Sequence, residues 1–506
     1  MIKQSTFSKI RSWILSNKKE FLILFLILLI GAFMRLYRIS DYMTFLGDEG
    51  RDVIIVRRLL TQLHPPLIGP GTSIGNMYLG PLYYYMMAPA LLIANYSPVG
   101  PAVQVALLGV ATIFFVWFIG RTWFGKTAGL VASGLYAISP TVIYFSRSSW
   151  NPNIMPFFAL LCIFSIWKVW KENGFKWLIV LGISFAFVMQ SHYLGLFLAP
   201  TLFIFWIFSF LKVRKTDAKK HFVRNSLIGV LLFLFLMSPL LIFDIRHGGT
   251  NFNAIGAMIT SRKDVGFSLG PSLSKAGSVA LMISSNLISA KNIYLSVITL
   301  TLFSSVLIWM CINKKFKSPL GLVLLWMIVG VTGFFLYKNP VFDHYLGFLF
   351  PAPFLVIGAL TQIVWKNKFW RILFAIFILS LVFVNLIKSP VLSDPTFQMP
   401  RAISVAKVIQ EKANGERFNI ATISDLNNRD VYQYFLIIWG ARVVDTDPSS
   451  LKFTITDQLF VVCERPREEC DPVHNPSAWI TNFGWTKIVD EWEVWGGTLF
   501  KLGHNS

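Results

Sequence analysis

The residues best suited to chemistry lie in the segment Thr44-Phe45-Leu46-Gly47-Asp48-Glu49-Gly50-Arg51-Asp52. It follows directly on an apolar run at 21–37, so the adjacent carboxylates of Asp48 and Glu49 stand at a membrane boundary. Desolvating such a pair is costly unless it binds a cation or accepts a proton. Asp48 is the natural general base. The same residues also read as the acidic N-terminus of a helix, with Asp48 as its cap and residues 53–62 supplying amphipathic spacing.

Five further groups carry polar side chains between apolar runs. Residues 75–85 place Gly and Pro beside Tyr83, Tyr84 and Tyr85, which suits a cavity wall or an aromatic belt at the interface. Residues 146–153 bring together Arg147, Trp150, Asn151 and Asn153. His192 sits between two closely spaced apolar runs, as a structural or a functional imidazole. Arg246 and His247 open a long polar segment, and Lys338 and His344 stand at the ends of later runs. Cations in such places can hold a phosphate, Arg by a bidentate fork, or snorkel to headgroups.

The elements that must position these groups are membrane helices. Of 506 residues 55% are hydrophobic and only 14% charged, with apolar runs as long as a bilayer core is thick, which excludes a soluble globular enzyme. The formal charge of +21 is spread over short loops between the runs and follows the positive-inside rule, so nucleic acid is not the expected partner. Runs at 21–37, 101–120, 127–145, 154–170, 176–190, 194–211, 222–243, 292–312, 319–337, 345–365 and 369–387 predict about eleven spans. A shorter stretch at 81–94 holds Pro89 and reads as a re-entrant or juxtamembrane segment. If it does not cross, the basic loops 121–126, 168–176, 212–224, 314–317 and 366–371 share the side of the N-terminus. The expected topology is then a cytoplasmic N-terminus with an uncleaved anchor, a first extracytoplasmic segment at 39–100, and an extracytoplasmic C-terminus.

From residue 389 the hydropathy falls and the pattern becomes that of an α/β domain. A helix is expected at 401–413, strands at 418–423 and 458–462, and a hairpin of 486–494 with 498–502 across Trp495-Gly496-Gly497. The chain therefore divides into a transmembrane domain at 1–388 and a soluble extracytoplasmic domain at 389–506. In an oxidising compartment Cys463 and Cys470 could close a short loop as a disulfide, whereas Cys162 and Cys311 lie within spans. No zinc-type spacing occurs.

The whole pattern resembles the GT-C glycosyltransferases, specifically the dolichyl-phosphate-mannose protein mannosyltransferases and the bacterial aminoarabinose lipid A transferases. The resemblance rests on Gly47-Asp48-Glu49 after the first span, Pro81-Leu82-Tyr83-Tyr84, the loop Arg121 to Gly125, and Ser146-Arg147 leading into the next span. It implies an integral-membrane enzyme, multi-pass and prokaryotic, that moves a sugar from a polyprenyl-phosphate carrier to an extracytoplasmic protein, lipid or glycan. The implied chemistry is inverting, with Asp48 as base and Glu49 its neighbour. Arg51, Tyr83, Arg147, Asn151, His192, Arg246, His247, Lys338 and His344 become the candidates to bind the donor phosphate or the rest of the substrate. The sequence Trp150-Asn151-Pro152-Asn153 carries no acidic residue where many relatives do, so a metal-free mechanism is expected over one using a divalent ion. A transporter or a flippase for lipid-linked sugars is the alternative, since transporters share the helix count. They tend, however, to show two similar halves, which this sequence does not.

Overall fold

A computed structural model describes residues 6–73, 75–261, 266, 268–365 and 367–505. Lys366, at the edge of one predicted basic loop, lies outside them. The membrane body is built from α1 (Lys18–Leu36), α2 (Gly47–Gln62), α3 (Leu82–Ile93), α4 (Val99–Phe124), α5 (Lys126–Ile138), α6 (Met155–Glu172), α7 (Trp177–Ser191), α8 (Ala199–Val213), α9 (Ala218–Arg246), α10 (Ile293–Ile312), α11 (Pro319–Gly333), α12 (Pro351–Val364) and α13 (Lys368–Ile387), with further helices at Thr6–Ser16, Thr250–Ser261 and Leu269–Met282 and short helical turns between them. Among the described residues seven helices are long and apolar enough to cross a bilayer. They match the expected runs at 101–120, 154–170, 194–211, 222–243, 292–312, 319–337 and 369–387.

The other four expected runs fall on elements that are shorter, broken or charged at their ends, each for a local reason. Helix α1 starts on Lys18, Lys19 and Glu20 and closes on Arg35. The run at 127–145 is split where Ser139 adopts an extended backbone before Pro140. Helix α7 has 15 residues. The run at 345–365 bends by 52° between a 3-10 turn and α12, around Phe350 and Pro351.

Large apolar side chains of α1, α9, α10 and α13 face outward, among them Phe25, Phe33, Phe235, Ile298 and Phe383. Such a surface belongs in hydrocarbon, where the backbone is satisfied within each helix. Buried charge in this body is held by local partners. Arg35 donates to the carbonyls of Gly31 (3.0 Å) and Ala137 (2.9 Å), and Arg121 meets Glu20 at 2.6 Å.

Beyond residue 389 the chain forms α14 (Gln398–Lys412), α15 (Asp430–Ile438) and a four-stranded sheet of β1 (Asn419–Ile423), β2 (Gln458–Cys463), β3 (Thr486–Val494) and β4 (Gly497–His504), in the order β1-β2-β4-β3. β1 and β2 are parallel and need a crossover, which contains α15. The two antiparallel pairings place β2 against β4 and β4 against β3. The hairpin turns at Trp495-Gly496, where Gly496 takes φ 79°. β2 is buried along its whole length, as an uncharged Gln-Leu-Phe-Val-Val-Cys run requires. Cys463 and Cys470 are joined in a disulfide.

This layer is not a free appendage. Met43, Phe45, Val53 and Val56 of the first segment share one core with Val405, Phe418, Val431 and Phe435. Phe397 N–H donates to the Asp41 carbonyl (2.9 Å) and Phe45 N–H to the Gln398 side chain (2.9 Å). A Cβ placed on Gly50 would lie 2.7 Å from the Val431 nitrogen, so the glycine allows α15 to rest on α2. Helix α2 is thereby gripped between the membrane body and the C-terminal layer.

Candidate active site

The grip on α2 fixes its first turn. Glu49 accepts from the Leu46 N–H at 3.0 Å, tying the turn's acid back to its own start as in a capping box. Thr44 N–H donates to the Ser148 hydroxyl at 2.9 Å, so the loop at 146–153 and the start of α2 are set together. Asp48 then accepts from Arg51 Nη1 (2.8 Å) and from Trp150 Nε1 (3.2 Å), and its side chain keeps 48% of its exposure. Each carboxylate oxygen has one protein donor and spare lone pairs facing open space.

The neighbouring acids are in a different state. Glu49 is buried, and loss of solvation raises its carboxyl to about 7. Asp52 is fully buried. It accepts from Arg51 Nε (3.0 Å), Arg51 Nη2 (2.7 Å) and Tyr84 OH (3.0 Å), all on Oδ1. Burial raises its carboxyl to about 6, with Arg51 opposing the rise. Arg51 thus spans Asp52 and Asp48 and fixes the position of Asp48. Open to solvent where its neighbours are buried, Asp48 is the carboxylate placed to take a proton.

Two adjoining cavities meet at Asp48. The larger, about 760 Å³, is walled by Asp48, Glu49, Trp150, His344 and residues 425–428 of the C-terminal layer. The smaller, about 140 Å³, is walled by Asp48, Trp150, Asn151, His192, His344 and Tyr345 together with 70–73. His192 accepts the Leu194 N–H on Nδ1 (3.2 Å), which leaves the proton of the neutral ring on Nε2. Burial, and after it the neighbouring His344, lowers its imidazole to about 3. His344 packs against the Trp150 indole with ring centres 4.6 Å apart. Asn151 donates to the Ser191 carbonyl (2.6 Å) and so joins the two loops.

The predicted site residues therefore divide. Asp48, Glu49, Asn151, His192 and His344 line the cavities, and Arg51 bonds directly to Asp48. Tyr83 is buried one step back, hydrogen-bonded to Ser149 at 2.7 Å. Arg147 points elsewhere. It donates to the Tyr37 carbonyl (2.7 Å) and lies over the Tyr42 ring, 4.4 Å from its centre. Arg246, His247 and Lys338 line neither cavity. The His247 ring is exposed and lies within 2.8 Å of the Phe243 carbonyl.

Several residues of the site were not given a role from the sequence. Trp150 stood in a quoted motif without a role. Asp52, four residues after Asp48 on one helix face, carried a usable signal. The contribution of 425–428 had none, because it depends on the docking of the C-terminal layer. Among the described residues no group of three or more His, Cys, Asp or Glu side chains is arranged to hold a metal ion.

A helical membrane body with a small α/β layer is an architecture similar to that of solved GT-C glycosyltransferases. Comparison with known proteins agrees. Residues 79–243 match the sequence profile of the family described as dolichyl-phosphate-mannose-protein mannosyltransferase. The chain is thus similar in fold to solved GT-C glycosyltransferases, and about a third of it matches a mannosyltransferase profile. YkcB of Bacillus subtilis (strain 168), provisionally named a mannosyltransferase, is 24% identical over 242 residues, 45% of this chain and 32% of its own. The match thus spans about a third of that relative's length. Among solved structures, ArnT from Cupriavidus metallidurans bound to undecaprenyl phosphate aligns with TM-score 0.57 and 12% identity over 95% of this chain and 97% of its own. The oligosaccharyltransferase AglB from Archaeoglobus fulgidus, in complex with an inhibitory peptide and a dolichol-phosphate, aligns with TM-score 0.54 and 15% identity over 89% and 70%.

Proposed function

We propose that this protein transfers a sugar from a polyprenyl-phosphate carrier to an acceptor hydroxyl or amine, with inversion at the anomeric carbon. The observation that carries the reading is Asp48: a carboxylate steered by Arg51 and Trp150, half exposed, where two cavities meet. Asp48 accepts the acceptor's proton as that atom attacks the anomeric carbon, and the lipid phosphate leaves on the opposite face. Glu49 and Asp52 hold α2 and Arg51 in place. His192, with its proton on Nε2, and His344 and Asn151 contact the substrate from the smaller cavity. Tyr83 and Arg147 act on the walls behind it, and Arg246, His247 and Lys338 are reached only by substrate extending beyond the cavities.

In the same reading the N-terminus is cytoplasmic, residues 39–100 and 389–506 are extracytoplasmic, and the membrane is that of a prokaryotic cell. The boundary between a catalytic membrane domain and a soluble domain falls at 388/389. Polyprenyl phosphates appear with both of the named solved structures, which supports the choice of donor class. The test is transfer of labelled sugar by purified protein in nanodiscs from a panel of polyprenyl-phosphate monosaccharides, with the product's anomeric configuration read by NMR. Turnover with inversion is expected. Retention would contradict the single displacement, and flipping of the donor without transfer would make the protein a transporter.

A further inference from the structure

The turn of the β3–β4 hairpin carries Trp495, which is 50% exposed. Its indole packs on Phe397, with ring centres 5.9 Å apart. Phe397 lies in turn under the Arg38 guanidinium, 5.8 Å from the ring centre. Arg38 stands two residues beyond the end of α1. The tip of the sheet and the end of a membrane helix therefore form one continuous surface.

The chain holds this arrangement against its local preference. Phe397 takes φ 50°, a left-handed backbone that a bulky L residue adopts only where its surroundings enforce it. Its N–H is tied to the Asp41 carbonyl (2.9 Å), and its carbonyl accepts the Arg401 N–H (2.9 Å) in the first turns of α14. The Arg401 side chain then closes on the hairpin, with its Cδ 2.8 Å from where a Cβ on Gly496 would lie. Trp495 is thus presented on a fixed tip with half of its surface uncovered.

The neighbours of the tip say what covers it. On the hydrocarbon-facing side of α1, exposed Phe33 packs on Tyr37 with ring centres 5.1 Å apart, and Tyr37 reaches Tyr42 at 6.5 Å. The Tyr42 hydroxyl donates to the Ser393 carbonyl (2.9 Å), six residues after α13 ends at Ile387. Helices α1 and α13 so end near one another, and an exposed cation follows each, Arg38 and Lys388. Apolar helix surface, then aromatic rings and cations, is the order found across a membrane boundary. Trp495 sits at that level. Arg38 is already paired with Asp41 at 2.8 Å, so the tip offers rings in place of a free guanidinium. The other end of β3 provides the contrast. Trp485 there is 89% exposed, and ten extended residues carry it about 30 Å from Trp495.

We infer that the β3–β4 tip rests in the headgroup region of the bilayer, with Trp495 as its lipid-contacting side chain. The partner is the lipid surface itself. Recognition is by an indole whose apolar body enters the boundary while its N–H stays with water and headgroups, so no anionic lipid is needed. The C-terminal layer is then held on two sides, by the contact of α15 with α2 and by the hairpin on lipid. β3 stands upright on the membrane, and Trp485 is in water.

The test is photolabelling of the full chain in nanodiscs of phosphatidylcholine, doped with a phosphatidylcholine that carries a diazirine near its glycerol backbone. Tryptic cleavage at Lys487 and Lys501 separates peptide 488–501, which holds Trp495, from peptide 468–487, which holds Trp485. Label is expected on 488–501 and on α13, and not on 468–487. Replacing part of the lipid by phosphatidylglycerol should leave this pattern unchanged. Trp495→Ser, made at a half-exposed turn position, should cut the label on 488–501 at least about tenfold relative to α13 in the same sample. Trp495→Tyr, which keeps an interfacial ring, should retain most of it. Native protein labelled on α13 but not on 488–501 would overturn the assignment, as would equal label on 468–487. Undiminished labelling of Trp495→Ser, or label at the tip only when phosphatidylglycerol is present, would overturn it too. Sugar transfer does not enter the readout, so the result stands apart from the proposed activity.

Discussion

Asp48 owes its orientation to two donors of different kinds, and each can be removed separately. Trp150→Phe keeps an aromatic ring against His344 but deletes the indole N–H on Asp48. Loss of one orienting hydrogen bond is worth about 1 kcal/mol, so kcat is expected to fall about fivefold to tenfold at nearly unchanged thermal stability. Measuring both on one preparation checks this. Glu49 offers a test by pH. Its carboxyl is raised from 4.5 to about 7 in the folded protein, so the folded state favours the protonated form. The stability this contributes is full below pH 4.5, declines above it, and is gone once pH exceeds about 7. At pH 8 the loss is about 3 kcal/mol by linkage. Glu49→Gln retains the acceptor for the Leu46 N–H and cannot ionise. Its thermal midpoint should match that of the native protein near pH 4.5 and exceed it increasingly toward pH 8. Of this chemistry the sequence displayed the acids and their order. It could not display that Asp48 is open while Glu49 and Asp52 are buried, because helical spacing does not say which face the C-terminal layer will cover.

At the scale of elements, the contact of α2 with α15 decides whether the site is assembled. Gly50→Ala places a Cβ 2.7 Å from the Val431 nitrogen and 2.8 Å from the Asp430 carbonyl carbon, where backbone cannot yield as a side-chain tip can. Forced overpacking of this kind costs about 1–3 kcal/mol. The variant is expected to show faster limited proteolysis between 389 and 397 and reduced transfer, read by gel and by activity. The disulfide can be tested independently. It closes a loop between residues seven apart in sequence, for which chain entropy gives about 2.5 kcal/mol. Reduction should lower the unfolding midpoint of the C-terminal layer while leaving the membrane helices folded, as followed by circular dichroism. The long helices, the hairpin and the helix at 398–412 were legible because period and turn residues agreed. The crossover helix α15 was not, since its apolar run, Tyr432 to Trp439, is too short to separate from a buried strand by pattern alone. The breaks at Ser139 and Phe350 were also hidden, because Pro140 and Pro351 can begin a helix as readily as end one.

For the whole molecule, the asymmetry of charge over the loops pointed to one working end, and the structure gathers the carboxylates, imidazoles and both Asp48 cavities at one end of the helical body. The phosphate contacts expected of Arg246, His247 and Lys338 are not in those cavities. A long outer segment supplies cations in sequence without saying how far from the site it will fold. The central claim is that Asp48 is the base of a sugar transfer. It is tested most directly by comparing native protein with Asp48→Asn in single-turnover transfer from a polyprenyl-phosphate sugar, with donor binding measured alongside. The account predicts that transfer falls by about a hundredfold to ten-thousandfold while donor binding is retained. Transfer by Asp48→Asn within a few-fold of the native rate would contradict it.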